Sequence, residues 1–275
     1  MKPDKVNEDD LPAPNHLVCL LWLLVHTVVT WIEQLMRLVK RCRKSLQHLR
    51  PFGTALESCR LMQSRQFVKQ HLVPVSKVPK HLVVLLGPER PDYQRLAQFI
   101  FWSHAAGIEY VSFYDHNGTI KRNSEEIKRY VSDAPLEEND HIVWSERSSE
   151  TAKNGRIPAG RGKRTLVSFL SPENGKQGLV SLSRSIGESV RRRDLYASDV
   201  SIEFLDNRLQ ASPGYVPDPD LAIYFGEVCS TYGLLPWQIR LTEFLPLSRR
   251  LQDSTEQHFV NCLLRFAKCE QRLGT

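Results

Sequence analysis

A chain of 275 residues, 41 % hydrophobic and 25 % charged, with 14 glycines and 16 prolines, is long enough for one domain of ordinary size plus an appendage. These figures exclude collagen, a long coiled coil and full disorder, and the lack of a fixed-period repeat excludes solenoids and propellers. The net charge of +6 is uneven: residues 33–80 hold eleven Lys/Arg against two acids, residues 1–32 two against four, and residues 81–275 twenty-four against twenty-five. A nucleic-acid-binding domain should carry its positive charge on its folded part. Here the basicity lies beside a hydrophobic stretch, which favours a membrane surface and no nucleic acid.

Residues 1–16 read as an acidic tail containing Asp4, Glu8, Asp9 and Asp10. Leu17 to Ile32, LVCLLWLLVHTVVTWI, carries no formal charge, but at about 1.5 Å per residue it falls short of a hydrocarbon core roughly 30 Å thick. Extension to Val39 adds Leu35, Met36 and Leu38 at the cost of Glu33, Gln34 and Arg37, whose long side chains can reach the headgroups. A membrane helix is therefore expected over 17–39, either tilted across the bilayer or lying in its interface. Trp22 and Trp31, toward its two ends, suit the interfaces. A cleaved signal peptide should begin basic and end at small residues, and this segment does neither. Lys40, Arg41, Arg43 and Lys44 open a basic juxtamembrane linker over 40–80, and the positive-inside rule places it and the chain beyond it in the cytosol. Asn117-Gly118-Thr119, formally a glycosylation sequon, then reads as a turn.

From His81 the pattern becomes that of an α/β domain with a mostly parallel sheet flanked by helices, over 81–275. HLVVLL (81–86) suits a strand buried on both faces and ends at Gly87-Pro88. A helix follows, with Pro91 in its first turn, Tyr93, Leu96, Ala97 and Ile100 at helical spacing, and Gly107 as a left-handed stop. IEYVSFY (108–114) is a second buried strand, parallel to the first through a βαβ crossover. Residues 133–164 are polar and read as an insertion loop. Within it Gly155 and Gly160 have P-loop spacing, but Arg161-Gly162 replaces the Lys-Ser/Thr and a strand follows, so nucleotide binding is not expected. Then come a strand at 165–170, helices near 176–193 and 199–210, a strand at Leu221 to Phe225, and another within Trp237 to Leu245. In the last helix Ser254 and Gln257 fit a capping box, and Phe259, Cys262, Leu263, Phe266 and Ala267 form one apolar stripe. The six cysteines show no metal or disulfide spacing, so Cys262 and Cys269 read as small apolar groups.

Several separated segments carry a resemblance. DPDLAIYFGEVCSTYGLLPWQIRLTEF (218–244), HLVVLL (81–86), FYDHNGTIKRN (113–123) and the ending CEQRLGT together resemble the Nogo-B receptor/Nus1 family, accessory subunits of eukaryotic cis-prenyltransferase. The resemblance covers 81–275 and implies a cis-prenyltransferase-like fold. Catalytic members of that superfamily end their first strand with Asp-Gly-Asn, whose Asp engages magnesium and diphosphate; the matching positions here are Gly87, Pro88 and Glu89. Gly87 offers no ligand and Pro88 no N–H, while Glu89 would repel phosphate unless a metal lay between. The catalytic Arg-Thr-Ser-Gly-Glu segment is matched by Tyr224, Phe225, Gly226 and Glu227, followed by Val228, Cys229 and Ser230, without a cation. Without the resemblance, Asp220 to Glu227 would be an ordinary buried strand and turn, and Arg272 a solvated charge at a helix end.

The resemblance implies a dehydrodolichyl diphosphate synthase complex at the endoplasmic reticulum membrane. In it, a catalytic cis-prenyltransferase partner holds Mg²⁺ and condenses farnesyl diphosphate with isopentenyl diphosphates into the polyprenyl diphosphate precursor of dolichol. This chain would have no catalytic residue of its own, would stabilise and anchor its partner, and would contribute Arg272 and Gly274 across the interface to bind isopentenyl diphosphate. Leu221 to Leu245 and the adjoining helices are expected to form either that interface or ordinary core. The rival reading is a non-enzymatic membrane adaptor or receptor that binds protein or lipid through a degenerate domain.

Overall fold

The computed structural model describes residues 16–49, 55–134, 136, 140–145, 162–212, 215–226, 228–247 and 249–269. The chain divides into two units, Met1–Pro51 and Phe52–Thr275. Among the described residues the first holds α1 (His16–Leu49), whose large apolar side chains between Leu20 and Leu38 are exposed, Trp31 by 76 %. The membrane-spanning form of the expected 17–39 helix is not found, since no helix among the described residues is long and apolar enough to cross a membrane. The reason lies in the composition. The uncharged run stops at Ile32, and the helix continues through the exposed Glu33–Arg37 pair, 3.1 Å apart, toward its basic end.

The second unit is built on a six-stranded parallel sheet of order β3-β4-β2-β1-β5-β6. Its strands are β1 (His81–Leu85), β2 (Tyr110–Tyr114), β3 (His141–Trp144), β4 (Arg164–Leu170), β5 (Leu221–Phe225) and β6 (Glu243–Leu247). The helices are α2 (Ala55–Leu72), α3 (Tyr93–Ala106), α4 (Thr119–Arg122), α5 (Ser124–Ser132), α6 (Lys176–Arg191), α7 (Ile202–Gln210) and α8 (Glu256–Ala267). Every residue of β1 is buried, as a central parallel strand covered on both faces requires. Alternation along it separates two cores. Leu82, Val84 and Leu86 join the larger core, with Phe99, Trp102, Phe225 and Phe259, whereas Val83 and Leu85 join a smaller one with Tyr114, Leu170, Val216 and Leu235.

The first crossover forms as the spacing predicts, pairing His81 with Tyr110 through Leu85 with Tyr114. Asp92 caps α3 by accepting the Arg95 N–H at 3.0 Å, and Gly107 ends the helix at φ 80. Pro91 thus precedes the cap instead of occupying the first turn. The capping box of α8 sits one residue later than expected: Thr255 accepts from the His258 N–H and donates its own to His258 Nδ1. Cys262 is buried, and burial pushes its thiol up to about 11, so it behaves as a small apolar group.

Three further expectations are corrected. The stretch read as a linker over 40–80 contains α2, whose Leu61, Val68 and Leu72 belong to the main core. The 133–164 loop contains β3, a four-residue edge strand pairing His141–Trp144 with Arg164–Val167; so short an apolar run among charges gives almost no periodic signal. The final strand is Glu243–Leu247, and Trp237 lies before it in turns that end in a 3₁₀ segment at Ile239–Leu241. The Gly155–Gly160 motif lies outside the described residues. The sequon is a turn, with Gly118 at φ 65 opening α4.

Asp220 pins the start of β1 to that of β5, its Oδ2 accepting the N–H groups of Lys80 and His81 at 2.7 and 2.9 Å. The His81 ring, 1 % exposed, is held as one neutral tautomer. Its Nδ1 lies 2.6 Å from the Pro217 carbonyl and must donate, which leaves Nε2 to accept from Ser112 Oγ at 2.8 Å. Burial, only partly opposed by the Pro217 carbonyl, lowers its pKa from 6.5 to about 4. The unfolded ring therefore protonates first as pH falls. The stabilisation is complete above about pH 6.5 and is lost toward pH 4, an effect of roughly 3 kcal/mol. Urea midpoints measured at successive pH values should fall across that interval, and His81→Gln should flatten the fall. An equally steep fall in the variant would assign it to other groups.

Candidate functional site

In open α/β sheets the ligand crevice lies at the carboxyl ends of the strands where the winding reverses. Here β1 leads through α3 to β2 on one side, and its other neighbour β5 leads to β6 on the other. The site is therefore built on the residues following β1 and β5.

Gly87 turns the chain after β1 at φ 60, and a Cβ placed there would lie 2.9 Å from Tyr232 Cε2. No liganding side chain can enter at this position without displacing the Tyr232 ring. That ring stacks on His116 with centroids 5.4 Å apart and planes 25° apart. His116 Nδ1 is in turn 3.1 Å from the Gly87 carbonyl, and Tyr114 donates its hydroxyl to the Tyr232 carbonyl at 2.7 Å. The loop bearing the ring adopts left-handed backbone at Tyr232 (φ 49), Gly233 (φ 80) and Leu235 (φ 31). For the two non-glycine residues this conformation costs energy and persists only where the surroundings fix it. Tyr232 thus seals the end of β1.

The carboxylates that follow β1 and β2 are occupied by backbone. Glu89 Oε2 accepts the Leu251 N–H at 2.7 Å, Asp92 caps α3, and Asp115 caps α4 by accepting from Thr119 and Ile120 at 2.8 and 2.9 Å. Among the described residues no group of three or more His, Cys, Asp or Glu is placed to hold a metal ion. The described residues do not fit magnesium. After β5, Gly226 turns at φ 95, Val228 and Cys229 are exposed, and Ser230 Oγ accepts the Tyr232 N–H at 3.3 Å. Glu227, Arg272 and Gly274 lie outside the described residues. Leu221, Ala222, Ile223, Phe225 and Leu245 are core, so the apolar content of this stretch is largely spent within the chain.

No family model matches the sequence. The mouse dehydrodolichyl diphosphate synthase complex subunit Nus1 is 35 % identical over 206 residues, covering 73 % of this chain and 67 % of the mouse protein. The human subunit is 34 % identical over 73 % of this chain and 68 % of its own length. The chain belongs to the Nus1 family of dehydrodolichyl diphosphate synthase complex subunits. The Nus1 subunit of Saccharomyces cerevisiae is 26 % identical over 76 % of the chain. Among solved structures, lavandulyl diphosphate synthase from Lavandula x intermedia shares the fold with a TM-score of 0.51 at 16 % identity, over 72 % of this chain and 99 % of that one. The family resemblance carried by the segments around 81–86, 113–123 and 218–244 is borne out, as is the cis-prenyltransferase-like fold.

Two features of this Nus1-family chain escape sequence reasoning. The first is a cleft of about 680 Å³ beside the Tyr232 plug, lined by His116, Lys176, Val180, Arg184 and the Tyr114–Tyr232 wall. Residues 176, 177, 180, 181 and 184 recur on one helical face, which was the available signal. The second is a buried polar cluster. Asp140 Oδ2 lies 2.9 Å from His104 Nε2 and 3.4 Å from Arg65 Nη2, and His104 Nδ1 lies 3.0 Å from Thr165 Oγ1. Burial lowers the pKa of His104 despite Asp140. Burial alone would raise that of Asp140, but His104 and Arg65 hold it below the usual carboxylate range. The cluster ties α2, α3 and β4 to the segment entering β3 and reads as architecture.

Proposed function

We propose that this chain is a non-catalytic accessory subunit of a dehydrodolichyl diphosphate synthase complex. The observation that carries the reading is the sealed end of β1. Gly87 can neither bind metal nor accept a side chain beneath Tyr232, and the neighbouring carboxylates are spent on helix caps and turns. Metal-dependent diphosphate chemistry needs acidic ligands and cationic donors at that point. A catalytic cis-prenyltransferase partner supplies them, holds magnesium, and condenses farnesyl diphosphate with successive isopentenyl diphosphates toward the polyprenyl precursor of dolichol. Family membership supports the heteromer, since the relatives are named as complex subunits. So does α7, none of whose residues is buried and whose first residue, Ile202, is exposed.

On this reading Arg272 and Gly274 reach the partner's site and bind the diphosphate of isopentenyl diphosphate. A guanidinium fork matches phosphate oxygens, and glycine admits close backbone approach. The exposed apolar surface of α1, followed by Lys40, Arg41, Arg43 and Lys44, lies in the interface of an anionic bilayer instead of crossing it. That holds the complex on the cytosolic face of the endoplasmic reticulum membrane. Co-expression with a catalytic cis-prenyltransferase subunit tests the proposal. Incorporation of radiolabelled isopentenyl diphosphate should be low for either chain alone and rise sharply for the pair. Equal incorporation with and without this chain would instead support an adaptor or receptor, and activity of this chain alone would refute the non-catalytic reading.

A further inference from the structure

We infer that Lys77 is a positioning residue for the carboxyl-terminal tail, and so for Arg272, because it holds the backbone where α8 ends. Its Nζ donates to the Cys269 carbonyl at 3.1 Å, a contact between residues 192 apart in the chain. The same ammonium lies 4.7 Å from the centroid of the buried Phe266 ring. Held between a π face and a carbonyl, it has a defined direction. Its own root is fixed as well. In the stretch between α2 and β1, Val75 and Val78 pack on the main core, the Val75 N–H donates to the Leu72 carbonyl at 3.0 Å, and Asp220 pins Lys80 and His81.

Cys269 is held at three groups. Its N–H donates to the Phe266 carbonyl at 3.0 Å and its thiol to the Arg265 carbonyl at 3.4 Å, while its own carbonyl accepts from Lys77. Burial and then Glu243, opposed by Lys77 and Arg265, push the thiol up, so it remains a neutral donor. The first two bonds are local and close the last turn of α8. The third is long-range, and carbonyls at a helix end are commonly left to water. What Lys77 adds is the orientation of the peptide from which the tail starts. Because Lys77 precedes β1 and Glu243 opens β6, that root lies at the amino edge of the sheet, opposite the sealed crevice. Arg272 stands three residues on, within about 11 Å of Cys269. Freeing one residue's backbone costs about a factor of ten in the affinity it supports. Loss of the Lys77 bond should therefore be felt at the substrate and hardly at all in the fold.

This inference rests on the proposed role of Arg272 in a partner's site. The test is steady-state kinetics of the complex co-purified with a catalytic cis-prenyltransferase subunit, varying radiolabelled isopentenyl diphosphate and farnesyl diphosphate in turn. Lys77→Met keeps an apolar stem over Phe266 and removes the ammonium. It should raise KM for isopentenyl diphosphate about tenfold and leave KM for farnesyl diphosphate, kcat and the urea midpoint of the free chain nearly unchanged. Lys77→Arg, which keeps a donor, should restore most of the loss, and Lys268→Met, which removes an exposed charge beside Cys269, should have little effect. In an Arg272→Ala background, Lys77→Met should add less than about twofold. An effect of Arg272→Ala without one of Lys77→Met overturns the role of Lys77 alone, whereas no effect of Arg272→Ala overturns both readings. An equal loss in Lys268→Met, a Lys77→Met loss that persists undiminished without Arg272, or a rise in both KM values with a lowered urea midpoint would also overturn the assignment.

Discussion

Arg272→Ala is expected to lower kcat/KM for isopentenyl diphosphate in the assembled complex by roughly 10- to 100-fold. A charge-assisted hydrogen bond to diphosphate, as proposed for Arg272, contributes about 1.5–3 kcal/mol. Arg272→Lys should fall between wild type and alanine, because lysine keeps the charge and loses the two-pronged donor geometry. Co-purification of the two chains should not change if, as proposed, Arg272 binds substrate and does not hold the partner. Steady-state kinetics with isopentenyl diphosphate varied at saturating farnesyl diphosphate gives the required ratio. An unchanged kcat/KM, or a loss explained by failed co-purification, removes Arg272 from the shared site.

Phe99→Ala should cost about 3–5 kcal/mol of stability, the range for deleting a buried aromatic side chain. Phe99 is fully buried in α3, with ring centroids 4.9 Å from Trp102, 5.8 Å from Phe259 and 6.0 Å from Phe225. It therefore joins α3, α8 and β5, and a cavity there could not close without moving all three. Small domains have only about 5–15 kcal/mol in total. Urea unfolding should show an earlier midpoint at unchanged slope, while Ile202→Ala on the exposed start of α7 should shift stability by less than about 0.5 kcal/mol. A shift in Phe99→Ala no larger than that control would show that the cluster does not hold the layers together.

The elements most legible from residues alone were those with both a strong period and chemical punctuation. β5 matched at both ends because an apolar run follows Pro217-Asp218-Pro219-Asp220, and α3 because Gly107 must adopt a left-handed conformation. β3 was illegible because an edge strand of four residues carries too few side chains for alternation to show. α2 was obscured differently: its buried Leu61, Val68 and Leu72 are scattered among polar and basic residues, so charge dominated the reading. At the site, sequence showed which groups were missing after β1 but not what replaced them. Tyr232 is 145 residues distant from Gly87 in the chain, and only the packed structure shows the ring over the glycine. The face of α6 that lines the cleft was written in the helical spacing, but only the packed structure shows which side of the helix meets it.

The placement of α8 has a bearing on biosynthesis. This helix, made after every strand, packs on α2 as well as β6, and its Phe259 closes the aromatic cluster begun by α3. A chain from which α8 has not yet emerged lacks the Phe259 ring that packs on Phe99 and Trp102, however many strands have already formed. The domain thus cannot complete its core until α8 has been made, and an intermediate that lacks the helix exposes apolar surface of the kind that aggregates.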